Sequence, residues 1–266
     1  MFLKVAVSSL LSRKGSAVMT LMAISVAIFV LLGIEQIRQQ ARDSFASTVS
    51  GVDLIVGAKT GSLNLLLYSV FRIGSPTDNI SWQAYRDIAD FDDVAWAIPI
   101  SLGDSHEGYR VVGTTQAFFE HFSFGKKRRL AFSEGEAFEG TFDAVLGSEV
   151  ASALGYSVGT EIILAHGLAS TSFTKHDNQP FVVVGVLAPT GTPVDQTIHV
   201  RLEGIEAMHA GGSSPPIGAF ATASAPASDF SEPESITAFM LGLKSRMSTF
   251  NVQRQINQVA GEPLMA

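Results

Sequence analysis

The longest apolar stretch of the chain covers residues 15–34, twenty positions without a charged side chain. Lys14 stands immediately before it and Glu35 immediately after it. A helix rises about 1.5 Å per residue, so a stretch of this length spans the roughly 30 Å hydrocarbon core of a bilayer. The pattern therefore predicts one transmembrane helix over residues 15–34.

Two other interpretations of this stretch are a buried helix of a soluble protein and a cleaved signal peptide. A buried helix is usually shorter and rarely lacks a polar stripe over such a length. A signal peptide has about 7–15 apolar residues, followed by a cleavage site between small residues. Here the longer run continues into GIEQIRQQARDSF, which has helical character and no such site. A membrane anchor is therefore favoured.

Residues 1–14 have the pattern of a short amphipathic helix. Lys4, Ser8 and Ser12 recur at a spacing of four, while Leu3 and Val7 fall on another face. Such a helix lies in the membrane interface before the chain turns into the bilayer. We therefore predict an interfacial helix over residues 1–14, with a disordered leader as the alternative.

Charge is distributed unevenly along the chain. Lys4, Arg13 and Lys14 precede the first acidic residue, Glu35, whereas the rest of the chain carries 15 basic and 25 acidic residues. Basic residues beside a span favour the cytoplasmic side. We therefore expect an inner-membrane protein with its N-terminus inside, in the cytoplasm, and its main domain on the outer side.

The acidic main domain is a poor partner for nucleic acid, because such binding depends on neutralising phosphates with Lys and Arg. One basic run interrupts it, at Lys126, Lys127, Arg128 and Arg129. A solvated loop is the favoured interpretation of this run, and a contact with phosphate or lipid headgroups is the alternative.

Residues 35–259 alternate irregularly between helical and strand patterns, which predicts an α+β domain of mixed strands and helices. A helical extension of the span is expected over 35–50, and a loop rich in Gly, Ser and Pro over about 210–233 predicts a mobile segment. Further helices are predicted at 81–91, 115–121, 148–154 and 247–259. Strands are predicted at 52–56, 94–100, 109–112, 144–146, 161–165, 181–187, 197–200 and 236–243, with GDSHEG (103–108) as a turn between two of them.

No motif for catalysis or nucleotide binding is present. The segment GVDLIVGAKTGS (51–62) departs from a phosphate-binding loop, because five residues separate Gly51 from Gly57 and Ala58 precedes Lys59. The chain has no cysteine and neither an HExxH nor a GxSxG motif. We therefore predict no catalytic residue and no cofactor for this chain.

Several histidines flank the polar loop that follows residue 165. His166, His176 and Asp177 bracket this loop, and Asp195 and His199 lie near the next strand. Imidazole and carboxylate groups can form a zinc site where a fold brings them together. The spacing matches no established zinc motif, so solvated loop histidines are the favoured interpretation. His166, His176, Asp177 and His199 are the candidate ligands.

Four features of the chain resemble the FtsX-like permease subunits of ABC transporters, the family that includes macrolide-efflux and lipoprotein-release permeases. They are the N-terminal helix that runs into a span, VLGSEVASALGYSVGTEIIL (145–164), FVVVGVLAPTGTPVDQTIHV (181–200), and the late helix at 247–259. The most specific part is LGxxVG at residues 154–159, where each glycine is expected to allow a turn. The resemblance covers essentially the whole chain.

The resemblance implies a periplasmic core domain of the MacB type between a first and a second span, with three spans after the domain. This chain ends in GEPLMA without a second apolar run, so residues 260–266 are expected to be a truncated approach to a missing span. The resemblance also implies a cytoplasmic ABC ATPase as partner, which binds ATP, a homodimer or paired permease, and contact with membrane lipid.

The leading hypothesis is thus a permease subunit whose outer domain moves with ATP hydrolysis by a separate subunit, in export, lipoprotein release or mechanotransmission. The interfacial helix and residues 35–50 and 247–259 are the expected coupling elements. A membrane-anchored periplasmic binding module, possibly for metal, is one alternative. An anchored hydrolase that uses a Ser, Asp or Glu side chain is the other.

Overall fold

The computed structural model describes residues 8, 12–166, 180–210, 232–258 and 263–266, with the backbone alone at 40–47, 166 and 209–210. The chain divides into two compact units, residues 1–46 and residues 47–266. Most of the predicted interfacial helix and of the predicted mobile segment therefore lies outside the described residues.

The helices are α1 (Lys14–Thr48), α2 (Ser62–Ser69), α3 (Trp82–Ala89), α4 (Ala117–His121), α5 (Ser148–Leu154), α6 (Leu202–Ala210) and α7 (Thr249–Ile256), with 3-10 turns at Pro193–Gln196 and Arg246–Ser248. The strands are β1 (Leu54–Ala58), β2 (Ile80–Ser81), β3 (Val94–His106), β4 (Tyr109–Thr114), β5 (Ser123–Phe124), β6 (Arg128–Arg129), β7 (Phe132–Gly135), β8 (Asp143–Leu146), β9 (Glu161–Ile162), β10 (Ala165–His166), β11 (Phe181–Leu187), β12 (Thr197–Arg201), β13 (Ser235–Ile236), β14 (Ala238–Leu243) and β15 (Leu264–Met265).

Helix α1 is continuous for 35 residues and includes the predicted span. Its segment Lys14–Gln39 has a mean hydropathy of 2.6 and no buried side chains, so it is long and apolar enough to cross a membrane. The Thr20 hydroxyl donates a hydrogen bond of 3.0 Å to the carbonyl of Ser16. A polar side chain is thereby satisfied within the apolar stretch.

Eleven of the described strands form one mixed sheet, in the order β15-β1-β14-β3-β4-β12-β8-β11-β7, with β10 beside β3 and β9 beside β11. Two pairs are parallel, β4 with β12 and β8 with β11, and the others are antiparallel. The prediction of a mixed α/β domain after one apolar helix is confirmed.

Both faces of this sheet are covered. Val111 and Val112 of β4 belong to different apolar clusters, and so do Ala144 and Val145 of β8. Successive side chains of a strand point to opposite faces, so each strand contributes to two cores. One core contains aromatic side chains from α4, among them Phe118 and the adjacent Phe119.

The predicted turn at 103–108 is wrong in extent. Strand β3 continues to His106, and the turn consists of Glu107 and Gly108, whose φ angles are 48° and 86°. Two residues with positive φ match the right-handed twist of a hairpin. The polar residues Asp104, Ser105 and His106 are instead buried within the strand. The imidazole nitrogen Nδ1 of His106 lies 2.7 Å from the Ile163 carbonyl.

Other elements appear where none was predicted, including α2, α6 and the strands β5, β6 and β7. By contrast, α3 begins as expected, because the Ser81 hydroxyl accepts a hydrogen bond of 3.1 Å from the Ala84 amide. The residues Leu264–Met265, where an approach to a second span was expected, pair with β1.

Two glycines of the LGxxVG motif adopt left-handed backbone conformations. Gly155 caps α5 with φ of 70°, and Gly159 has φ of 91°. No neighbouring atom would obstruct a side chain at either position. The requirement for glycine there comes from backbone conformation rather than from space.

Candidate functional site at the helix–domain junction

Within the second unit, residues 48–53, which begin at the last residue of the long helix, are bonded to the hairpin β5–β6 and to the turn that begins residues 246–250. We call this set the helix–domain junction. Ser50 lies two residues after the end of α1 and pairs with Ser123 of β5 through an isolated antiparallel bridge. The Ser50 amide donates a hydrogen bond of 2.8 Å to the Ser123 carbonyl, and the Ser123 hydroxyl donates to the Ser50 carbonyl. The hairpin is thereby fixed to the chain directly after α1.

Asp53 connects the start of β1 to the end of β14. Its backbone amide donates a hydrogen bond of 2.9 Å to the Leu241 carbonyl, and its Oδ2 accepts one of 2.9 Å from the Leu243 amide. Its Oδ1 lies 3.4 Å from Nε of Arg246. One carboxylate therefore contacts both the strand before α7 and the 3-10 turn that leads into α7.

The segment from this 3-10 turn into α7 has two large exposed apolar side chains. Met247 is 92% exposed and Phe250 is 81% exposed. The opposite side of α7 is buried, because Val252 and Ile256 pack into the core. The helix is therefore held by its inner face, and the apolar side chains that it and the preceding turn expose follow Arg246 closely in the chain.

The predicted coupling segments 35–50 and 247–259 are flanked by the two residues of one ion pair, Asp53 and Arg246. Ser50 follows α1, Asp53 follows Ser50 by three residues, and Arg246 immediately precedes the second segment. Among the described residues, no side chain of this junction belongs to a group of three His, Asp or Glu residues suited to hold a metal ion.

Of the four candidate metal ligands, the structure describes the side chain of His199 alone. His199 of β12 is fully buried and stacks on Phe118, with ring centroids 4.8 Å apart. The side chain of His166 and the residues His176 and Asp177 lie outside the described part of the structure. Asp195 accepts hydrogen bonds from the amides of Thr190 and Gly191, at 2.9 and 2.7 Å, and thereby holds its own loop. The proposed ligand set remains a prediction that zinc titration with His166 and His176 variants tests.

His199 is neutral in the folded protein at ordinary pH. Its pKa is lowered to about 3, mainly by burial and further by the positive charge of Arg72, against a smaller opposing effect of the Val145 backbone. Neither ring nitrogen has a hydrogen-bond partner of ordinary geometry among the described residues. An imidazole in such surroundings cannot take up a proton without a large cost.

Sequence reasoning missed the cluster of cationic groups around this histidine. Burial and, to a smaller extent, the nearby charge of Arg110 together lower the pKa of Arg72 to about 10. Arg72 has φ of 59° and donates a hydrogen bond to the Ser69 carbonyl at the end of α2. No short motif predicts this arrangement, because the parallel pairing of β4 with β12 brings Arg110 and His199 to adjacent strands.

Comparisons with known proteins identify relatives of this chain. The sequence matches the family model of the MacB-like periplasmic core domain over residues 17–259. The fold is similar to the extracellular domain of the noncanonic ABC-type transporter YknZ from Gram-positive bacteria, at 10% identity and a TM-score of 0.47, covering 80% of this chain and 97% of that one. It is also similar to the periplasmic region of MacB from Actinobacillus actinomycetemcomitans, at 9% identity and a TM-score of 0.48, covering 81% and 90%.

No curated protein matches the sequence at a significant level. The family match nevertheless includes most of the apolar helix α1 and the domain that follows it. The chain therefore belongs to the MacB-like periplasmic core domain family, the outer domains of FtsX- and MacB-type ABC transporter permeases.

Proposed function

We propose that this chain acts as a permease subunit of an ABC transporter, in which a separate cytoplasmic ATPase drives movement of the periplasmic domain. The family match over residues 17–259 carries this proposal. The movement serves export, lipoprotein release or mechanotransmission. The N-terminus lies in the cytoplasm and the domain in the periplasm, because three basic residues precede the apolar helix.

The contacts of the helix–domain junction support a mechanical role. A displacement of the end of α1 acts on Ser50, and Ser50 is bonded to the hairpin through Ser123. Three residues later, Asp53 is bonded to the end of β14 and to Arg246. A packed and hydrogen-bonded network of this kind transmits displacement because its parts are not independently deformable.

The partners follow from the same proposal. ATP hydrolysis belongs to the ATPase subunit, since the family is one of permease domains and not of enzymes. A second copy of the chain or a related permease completes the membrane part, and lipid surrounds α1. The chain itself holds no cofactor in this proposal.

Affinity purification tests this proposal most simply. The tagged full chain is extracted from its native membranes in mild detergent, and the co-purifying proteins are identified by mass spectrometry. We expect an ABC ATPase in near-equal amount, together with ATP hydrolysis that vanadate inhibits. Purification of the chain without any ATPase, after mild chemical cross-linking in the membrane as well, would overturn the proposal.

A further inference from the structure

The basic run of the acidic domain forms the tip of the hairpin β5–β6. Phe124 pairs with Arg128, so the connecting loop consists of Gly125, Lys126 and Lys127. Gly125 has φ of 58° and Lys127 has φ of 57°, which closes the loop tightly. All four basic side chains of residues 126–129 are exposed. The hairpin thus presents them together at one tip.

These charges are not neutralised by the rest of the described domain. The Cζ atom of Arg128 lies 4.6 Å from the ring centroid of Phe124, and Arg129 donates a hydrogen bond to the Glu120 carbonyl. The carboxylate of Glu120 lies 3.8 Å from His121 instead. No described carboxylate pairs with any of the four basic residues.

The position of the hairpin along the chain bears on which partner its basic side chains bind. Ser123, its first residue, is bonded to Ser50, which is two residues past the end of α1. The uncharged stretch of α1 ends at Ile34, and the fourteen helical residues from Glu35 to Thr48 rise about 21 Å. The base of the hairpin is therefore bonded to the chain two residues after the helix that includes the predicted span.

We propose that the hairpin Ser123–Arg129 binds the anionic phospholipid headgroups of the leaflet on its own side of the membrane. Lys and Arg side chains near an anionic leaflet each strengthen association about fivefold, within roughly a Debye length of the surface. An acidic protein surface would satisfy the same charges, but the bond between the hairpin and the chain directly after the membrane helix favours lipid. The binding needs neither the ATPase nor a particular orientation of the chain.

Hydrogen exchange of the hairpin amides measures this contact. The full chain is placed in nanodiscs of phosphatidylcholine, with or without phosphatidylglycerol, and exchange over residues 123–130 is followed by mass spectrometry. Bound headgroups suppress local opening and slow exchange. We expect exchange at least about fivefold slower with phosphatidylglycerol, and loss of this difference at about 1 M salt, where the Debye length is about 3 Å.

The informative variant is Lys126→Gln/Lys127→Gln, because neither side chain has a hydrogen bond or ion pair with another described residue. A second variant, Arg128→Gln/Arg129→Gln, covers the other half of the tip. The matched control is Lys59→Gln/Arg254→Gln, which removes the same charge from exposed positions outside the hairpin. We expect both hairpin variants to lose most of the phosphatidylglycerol effect and the control to keep it.

Three results would overturn the proposal. The first is equal exchange in the two kinds of nanodisc. The second is retention of the full difference in both hairpin variants. The third is protection that is independent of phosphatidylglycerol and appears only when other proteins from the native membrane are added, which would assign the hairpin to an acidic protein surface.

Discussion

Nε of Arg246 lies 3.4 Å from Oδ1 of Asp53, and this ion pair joins the first strand of the domain to the turn before its last long helix. The two partners differ in environment, since Arg246 is 74% exposed and Asp53 only 12% exposed. The second carboxylate oxygen of Asp53 also accepts a hydrogen bond of 2.9 Å from the Leu243 amide. Asp53 therefore holds the junction mainly through the backbone, and Arg246 adds less.

This asymmetry predicts different costs for the two single substitutions. Asp53→Ala leaves the Leu243 amide without its acceptor and should lower the free energy of unfolding by about 1–3 kcal/mol. Arg246→Gln removes only an exposed ion pair and should cost less than about 1 kcal/mol. Urea unfolding of the full chain in detergent, followed by Trp fluorescence, measures both. An equal loss in free energy of unfolding for the two variants would show instead that the ion pair, and not the hydrogen bond to Leu243, supplies most of the contribution of Asp53.

His199 makes the stability of the domain depend on pH. Its pKa is about 3 in the folded protein, below the ordinary value of 6.5, so the unfolded chain binds a proton that the folded one excludes. The resulting stability is complete above pH 6.5 and is lost as the pH falls toward 3, by about 1.4 kcal/mol per pH unit. The loss continues until the folded-state pKa is reached.

The substitution His199→Phe removes this titration and keeps an aromatic ring beside Phe118. Relative to the unchanged chain, the variant should gain about 2 kcal/mol in free energy of unfolding between pH 7.5 and pH 5. At pH 7.5 it should be at least as stable, because two buried nitrogens without partners are removed. Denaturant unfolding at both pH values checks this, and identical pH profiles for the two proteins would contradict it.

The hairpin loop contains a lysine in an unfavourable conformation. Lys127 has φ of 57°, a left-handed conformation that costs a non-glycine residue roughly 1–2 kcal/mol. Lys127→Gly removes this cost, but glycine also gives the unfolded chain more conformational freedom, which offsets part of the gain. We therefore expect stabilisation of up to about 1 kcal/mol. Lys126→Gly, at a residue without positive φ, is the matched control and should destabilise by about 0.5–1 kcal/mol. Destabilisation of equal size in both variants would show that the backbone conformation of Lys127 is not strained.

The features that the sequence predicted well depend on neighbouring residues. The Ser81 hydroxyl caps α3 by accepting a hydrogen bond from the amide of Ala84, only three residues away. The apolar run within α1 is recognisable from its length and composition alone. Such signals are contained in a few consecutive residues, so a single sequence is sufficient to detect them.

The features that the sequence did not predict depend on distant residues. His106 is satisfied by the carbonyl of Ile163 and by Tyr156, 57 and 50 positions away, so its polar neighbourhood resembled a turn. Ser50 and Ser123 are 73 positions apart, and nothing in either segment indicates the other. The candidate junction could therefore be assigned to two segments of the sequence, whereas its contacts required the fold.

The central claim is that the N-terminus faces the cytoplasm and the domain faces the periplasm, with the ATP-hydrolysing partner on the N-terminal side. The chain has no cysteine, so the single variants Ser12→Cys and Ser62→Cys, both at exposed positions, can each be labelled without background. We expect a membrane-impermeant maleimide to label Ser62→Cys in intact spheroplasts, and Ser12→Cys only after permeabilisation. Labelling of Ser12→Cys in intact spheroplasts with protection of Ser62→Cys would contradict a periplasmic domain.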